Sequence, residues 1–378
     1  MGSQSTACEP HATLSDLLRS RIAFSPRQAI SFRDYMELCL YEETFGYYNQ
    51  ATPKVGKEGD FYTSAMVGTI MGELLAAYFI RLSERFVPAK PVAIVEWGGG
   101  TGRLAELIMN TIAAQAPELY ERLEYRLVEI SPHHRELQRE ALKNHRQVRQ
   151  CDTEQWAEDG EERPLFVFSN ELLDAFAVHR VERRNGVLHE WYVGWDETQA
   201  AFKEVKLPLQ PDSPAAEYLN RQNISVREGQ IVDLNPAAAD WIRHVGGKMD
   251  EGALVTIDYG DVAEELYAEH RMRGTLLCYR NHQAYDAPFA FPGEQDMTTH
   301  VDFTACIQAG LEVGLDVWSL RTQKQFLIDE GALNLLAAHD GRDPFSPAAR
   351  RNRAIRQLLL SDQMSELFKV LVQTKKGD

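Results

Sequence analysis

Apolar positions along this chain follow two rhythms. From residue 91, short unbroken runs of Val, Ile, Leu and Phe alternate with stretches in which apolar residues return every third or fourth place. These are the signatures of buried strands and of helices with one apolar face. The first run, VAIVEW (92–97), leads through a cluster of glycines into a segment with Leu104, Leu107, Ile108 and Ile112 on one helical face. Strands are expected at 92–97, 125–130, 147–151, 164–169 and 253–258, with helices between most of them. That order implies an α/β fold, a parallel sheet with helices on both faces. Upstream, helical patterns occupy 13–21 and 31–41, with Ser31 placed to cap the second. A glycine-rich loop, VGKEGDFYTS (55–64), and an apolar helix to about residue 80 follow.

Between residues 178 and 235 the rhythm changes. VHRVERRNGVLHEWYVGW (178–195) contains two strand-like runs on either side of Asn185-Gly186, a pair that favours a tight I′ turn. This hairpin and a helix near 214–222 are expected to form an insertion, at about 178–250, before the fifth core strand. Strands at 274–279 and 314–320, a helix near 301–311 and a closing strand within ELFKVLVQTKK (366–376) complete the pattern. The expected division is an N-terminal helical segment with the glycine-rich loop, 1–85, and an α/β domain, 86–378.

With 378 residues the chain can bury a sizeable core without disulfides or metals. Its net charge of -16 repels phosphate backbones and attracts basic partners, so nucleic acid is not an expected ligand. The five cysteines are scattered, with no C-x-x-C pair, which points to a reducing compartment and away from a disulfide framework or a zinc site. No apolar run reaches membrane-spanning length. MGSQSTACEPHATL carries neither a signal h-region nor an Arg-rich transit pattern, so a cytoplasmic protein is expected.

The candidate chemistry starts at the first strand–helix turn. Glu96, Gly98, Gly100 and Gly102 give the order acid-x-Gly-x-Gly-x-Gly, in which glycines let a ligand approach bare backbone at a helix N-terminus. A dinucleotide fingerprint remains open in its G-x-G-x-x-A form, from Gly100 through Gly102 to Ala105, whereas the Gly-Lys-Ser/Thr end of a P-loop is missing. Glu129, at the end of the second strand, is placed to accept both ribose hydroxyls of an adenosyl ligand, and Asp152, after the third, to meet an adenine amino group. In FVFSNELLDAF (166–176) the strand is expected to end at Ser169 or Asn170. Asn170, Glu171 and Asp174 should then face the reactive end of the cofactor. If the nucleophile is a guanidinium, Glu171 can hold it as a carboxylate fork.

Several separate stretches together resemble the MidA-like methyltransferases, which include the mitochondrial complex I assembly methyltransferase. They are FRDYMELCLYEETFGYY (32–48), GKEGDFYTS (56–64), VEWGGGTGRLAELI (95–108), SNELLDAFAVHR (169–180), IDYG (257–260), GTLLCYRNH (274–282) and PGEQDMTTHVDFT (292–304). The resemblance covers roughly residues 30–375. It implies a Rossmann-like class I methyltransferase sheet, S-adenosyl-L-methionine as the methyl donor and a protein arginine as the acceptor. It also implies that Gly59, Asp60, Phe61 and Thr63 form a lid loop near the cofactor, and that Asp258 and Tyr259 end the fifth core strand beside the substrate channel. The chain departs from the family at Gly99, where proline is frequent, and at Arg103, where a small polar residue is frequent. Two other classes stay open: an NAD-type oxidoreductase, and a cofactor-binding assembly factor with little catalysis. His282, Asp296 and His300 match no metal signature, and no metal is expected.

Overall fold

The computed structural model describes residues 13–51, 65–86, 90–158, 164–338, 343–360 and 364–377. The first strands in chain order are β1 (Ala29–Ser31), β2 (Val92–Trp97), β3 (Leu123–Val128), β4 (Val148–Cys151) and β5 (Leu165–Asn170). Four strands of the insertion follow: β6 (His179–Arg184), β7 (Val187–Asp196), β8 (Ala201–Pro208) and β9 (Ile231–Leu234). The remainder are β10 (Gly252–Asp261), β11 (Leu277–Arg280), β12 (Gln283–Tyr285), β13 (Asp296–Thr298), β14 (Val301–Asp302), β15 (Asp316–Thr322) and β16 (Phe368–Lys375).

The main sheet runs β15-β16-β10-β5-β2-β3-β4, with β14 added beside β10. The five expected core strands pair in parallel, β4-β3-β2-β5-β10. The sheet is mixed rather than wholly parallel, because β16 enters antiparallel between β10 and β15. The closing strand expected within 366–376 is present as β16 and is preceded by a helical turn, Met364–Leu367.

The unbroken apolar run of β2 follows from burial on both faces. Val92 and Ile94 pack with α3 (Ala65–Phe86) and α4 (Arg103–Gln115), while Ala93, Val95 and Trp97 pack with the helices Pro236–Gly247 and Phe303–Glu312. The buried stripe of α4 is Ala105, Ile108, Met109 and Ile112. It is rotated from the expected one, and Leu104 and Leu107 lie on its flank; Leu107 covers Gly72 of α3, where an added Cβ would come within 2.6 Å.

The insertion is a second sheet, β1-β7-β6-β9, with β8 on the far side of β7. Asn185 (φ 51°) and Gly186 (φ 77°) form the expected left-handed turn between β6 and β7. The N-terminal segment joins this sheet: β1 pairs antiparallel with Tyr192–Gly194 of β7, and α1 (Leu14–Phe24) and α2 (Phe32–Tyr41) share a core with Trp191, Val193 and Cys278. Ser31 caps α2 by accepting the Asp34 N–H at 3.0 Å. Replacing it with alanine is expected to lower stability by about 1 kcal/mol in urea unfolding.

The strand expected at 274–279 is displaced. Gly274 adopts a φ of 71°, and Thr275 and Leu276 donate their N–H groups to Asp233 Oδ2 at 2.6 and 3.0 Å. That turn delays the strand to Leu277, and β11 forms a small separate sheet with β12 and β13. Among the described residues no helix is long and apolar enough to cross a membrane.

Candidate functional site

The carboxyl ends of β2, β3 and β5 meet at the glycine turn. Gly98, Gly100 and Gly102 have φ values of 68°, 50° and 79°, a region that side chains disfavour. Each serves a different end. A Cβ on Gly98 would lie 2.8 Å from Leu172 Cδ1, and one on Gly102 would lie 3.1 Å from Gln138 Cα, so both allow close packing. A Cβ on Gly100 would meet nothing within 4 Å, so there the bare backbone faces open space. Gly102 caps α4 without a side-chain hydrogen bond, and the N–H groups of the first turn are left for a ligand. This cradle fits an adenosyl-amino-acid ligand. The two departures also have a place here. A Cβ on Gly99 would lie 2.6 Å from Leu127 Cδ2, so a proline needs Leu127 to move; Arg103 turns outward to Glu106 at 2.9 Å.

Glu96 is buried under the turn and accepts the Tyr125 hydroxyl at 2.6 Å; burial pushes its carboxyl up to about 7. Glu129, one residue beyond β3, accepts the N–H of Ser131 at 2.9 Å and those of Gly100 and Ile130. Burial raises its pKa against those bonds. The structure thus brings Glu129 directly to the glycine turn. Gln138 closes the corner, donating to Gly100 O at 2.9 Å and to Glu129 Oε2 at 3.5 Å. Asp152 follows β4, where its carboxylate accepts the Gln155 N–H and lies 3.6 Å from Arg135. Asp60 and Thr63 lie outside the described residues, as do Gly59 and Phe61.

The second half of the site is the end of β5. Asn170 is its last residue, and Glu171 follows with a φ of 53°, a strained conformation for a side chain with a Cβ. Glu171 and Asp174 do not begin an α-helix; the chain makes a single 3-10 turn, Leu173–Ala175. The reason is Asp258 of β10. Its Oδ2 accepts the N–H groups of Leu172, Leu173 and Asp174 at 3.2, 2.9 and 3.4 Å, and its Oδ1 accepts that of Tyr259 at 3.0 Å. Asn170 Nδ2 donates to Glu171 Oε1 at 3.2 Å. The Glu171 carboxylate reaches solvent but is enclosed by protein, and this burial raises its pKa.

Asp174 lies behind Glu171 and is 4 % exposed, with Oδ1 lacking any hydrogen-bond partner among the described residues. Burial, then the Asp258 charge, raises its pKa well above the usual carboxyl range; Asp258 itself is pushed up by burial to about 7. Four N–H donors favour the charged form of Asp258, so Asp174 is the member of the pair that holds a proton more tightly. Asp296 of β13 adds a further buried carboxylate. Tyrosines wall the cluster. Tyr41 and Tyr48 stack with centroids 5.5 Å apart, Tyr48 donates to Asp296 Oδ1 at 2.8 Å, and Tyr259 packs edge-on to His300. Burial holds the His300 imidazole down at about 4, so it brings no positive charge.

Sequence reasoning assigned no role to Tyr41, Tyr48, Ser131 or Gln138. The available signal was the stretch at 32–48, which carried the family resemblance but no chemistry.

The raised Asp174 carboxyl sets a pH dependence. The folded state keeps a proton that the unfolded chain loses above about pH 4, so its stabilisation is full below that pH and is lost as pH rises through the folded value. Unfolding free energy measured in urea is expected to fall as pH rises above about 4 toward the raised folded value, by up to about 1.4 kcal/mol per unit. Asp174→Asn, which mimics the protonated form, is expected to flatten that slope.

Residues 74–320 match the sequence profile of a family described as S-adenosyl-L-methionine-dependent methyltransferase. The chain is 25 % identical over 337 residues to the Xenopus tropicalis protein named "Protein arginine methyltransferase NDUFAF7, mitochondrial", covering 79 % of this chain and 73 % of that one. The Danio rerio protein of the same name is 27 % identical over 326 residues, 77 % of this chain and 70 % of its own. Among solved structures, a Burkholderia thailandensis protein bound to S-adenosyl-homocysteine superposes with a TM-score of 0.84 at 31 % identity, over 97 % of this chain and 92 % of that one. A native structure from the same organism gives 0.82 at 32 % identity, with the same coverage. Nothing in these comparisons supports the oxidoreductase alternative.

Proposed function

The chain belongs to the MidA-like family of S-adenosyl-L-methionine-dependent methyltransferases, and from that premise we propose that it methylates an arginine side chain of a protein. One observation carries the choice of acceptor. The strained Glu171 is backed by the buried, unpartnered Oδ1 of Asp174, and the neighbours that press most on Asp174 are the carboxylates Asp258, Glu171 and Asp296. Such a pocket is short of a cation, and a guanidinium supplies one with N–H groups for both carboxylates. The names of the curated relatives support the same acceptor.

When bound, S-adenosylmethionine supplies an electrophilic methyl group, and the neutral thioether S-adenosylhomocysteine remains after transfer. The protein has to place an acceptor nitrogen on the line of that bond. Gly100 and the open start of α4 hold the donor side, with Glu129 beside them. Glu171 orients the guanidinium by paired N–H···O bonds, and its charge stabilises the cation as the N–C bond forms. The stacked pair Tyr41 and Tyr48 adds aromatic surface beside the carboxylates. An entering guanidinium favours ionised Asp174, whose Oδ1 then accepts the proton that the nitrogen gives up.

The test is transfer of label from radioactive S-adenosylmethionine into a lysate of cells lacking the protein, followed by acid hydrolysis. Label migrating with methylarginines is expected. Label confined to methyllysine, to base-labile esters or to small molecules would overturn the arginine reading.

A further inference from the structure

Two half-sites have been described, one at the glycine turn and one at the end of β5. One residue, Ser131, hydrogen-bonds toward both. Ser131, whose N–H donates to Glu129 at 2.9 Å, donates its hydroxyl to the backbone oxygen of Tyr48 at 3.0 Å. The hydroxyl of the same Tyr48 donates to Asp296 Oδ1 at 2.8 Å, and the Met297 N–H donates to that oxygen at 2.9 Å. Two residues on, the Thr299 N–H donates to Asp174 O at 2.9 Å. The segment around Tyr48 is braced to move as one body. Asn49 Nδ2 donates to Tyr41 O and Glu42 O, Gln50 Nε2 bonds Phe45 O and Gly293 O at 2.7 Å, and the Tyr41 hydroxyl bonds Ala175 O at 2.8 Å.

We propose that Tyr48 is a positioning residue that couples occupancy of the S-adenosylmethionine side to the geometry of the acceptor pocket. Ligand contact at Glu129 sets the position of Ser131, Ser131 sets Tyr48, and Tyr48 sets Asp296 and the acceptor wall behind it. The chain is continuous, with no gap longer than a hydrogen bond. The consequence is ordered assembly: the acceptor wall tightens when the methyl donor is in place. The inference rests on the donor lying against Glu129, and it does not depend on the acceptor being arginine.

The test is hydrogen–deuterium exchange of the full chain with and without saturating S-adenosylhomocysteine. In the wild type, amides at 98–102, 129–131 and 296–299 are expected to slow, the last group by about tenfold. Tyr48→Phe keeps the ring stack but loses the hydroxyl. It is expected to abolish the response at 296–299 while S-adenosylhomocysteine affinity stays within about threefold. Ser131→Ala should lose the same response and Ser131→Thr should restore it, which a merely structural role for Tyr48 does not explain. Slowing at 98–102 and 129–131 without slowing at 296–299, or an unchanged response in Tyr48→Phe, would overturn the coupling. No slowing at 98–102 and 129–131 would instead refute the placement of the donor on which it rests.

Discussion

Glu171→Gln is expected to lower the rate of methyl transfer by about a thousandfold, while S-adenosylhomocysteine binds within about threefold of the wild-type affinity. The substitution keeps the shape of the side chain and removes its charge. The charge matters in the proposed mechanism because a guanidinium acceptor has to be aligned by two N–H···O bonds, and a neutral amide presents one acceptor and one donor. Cofactor affinity is expected to persist because the proposed donor side, the glycine turn with Glu129 and Gln138, makes its own hydrogen bonds apart from Glu171, which bonds Asn170. The backbone provides an internal control. Glu171 adopts a φ of 53°, where glycine is at ease, so Glu171→Gly should raise stability by about 1 kcal/mol and abolish transfer. Strain kept at the expense of stability marks a residue held for function. Radiolabelled transfer, calorimetry and urea unfolding measure the three quantities; transfer within tenfold of wild type in Glu171→Gln would remove the residue from the mechanism.

Gly102→Val is the second large effect. The new side chain is placed at a φ of 79°, which a β-branched residue resists, and its Cβ lies 3.0 to 3.3 Å from the Cγ, Cα and Cβ of Gln138. Gln138 has to withdraw, and with it go the bonds to Gly100 O and Glu129 Oε2. Both the turn and the acid beside it are lost together, so affinity for S-adenosylhomocysteine is expected to drop by at least about a hundredfold, with about 2 kcal/mol of stability. Gly100→Ala separates the causes. Its Cβ meets no protein atom within 4 Å, so the fold should tolerate it better, whereas a ligand against that backbone should not. Equal loss of stability in the two variants would place the role of Gly102 in folding alone.

The core sheet was legible because β2, β3, β5 and β10 are buried runs, most of them separated by amphipathic helices, and such runs have few alternatives; β4 is half-exposed and was placed by the strand–helix rhythm. The glycine turn was legible for a related reason: three glycines at fixed offsets after a strand have a conformational cause. What escaped were features set by distant partners. β1 is three residues, AIS, and becomes a strand only because β7 lies beside it. The displaced start of β11 depends on Asp233, far away in sequence. The 3-10 turn after Glu171 is held by Asp258, which accepts its N–H groups, and no local pattern announces a carboxylate that arrives from another strand. Tyr48 escaped in the same way, since its two partners come from β13 and from the residues after β3.

The pairing of β1 with β7 carries a consequence for biosynthesis. Residues 29–31 leave the ribosome about 160 residues ahead of their partners at 192–194, a delay of roughly 10 to 30 s at ordinary translation speeds. During that interval α1 and α2 have no surface to cover. Even after β7 emerges, Asp296 is still to be made, so the nascent chain can form its glycine turn well before it owns an acceptor wall. The N-terminal helices therefore wait for β7 and the rest of their shared core while the glycine turn can already form.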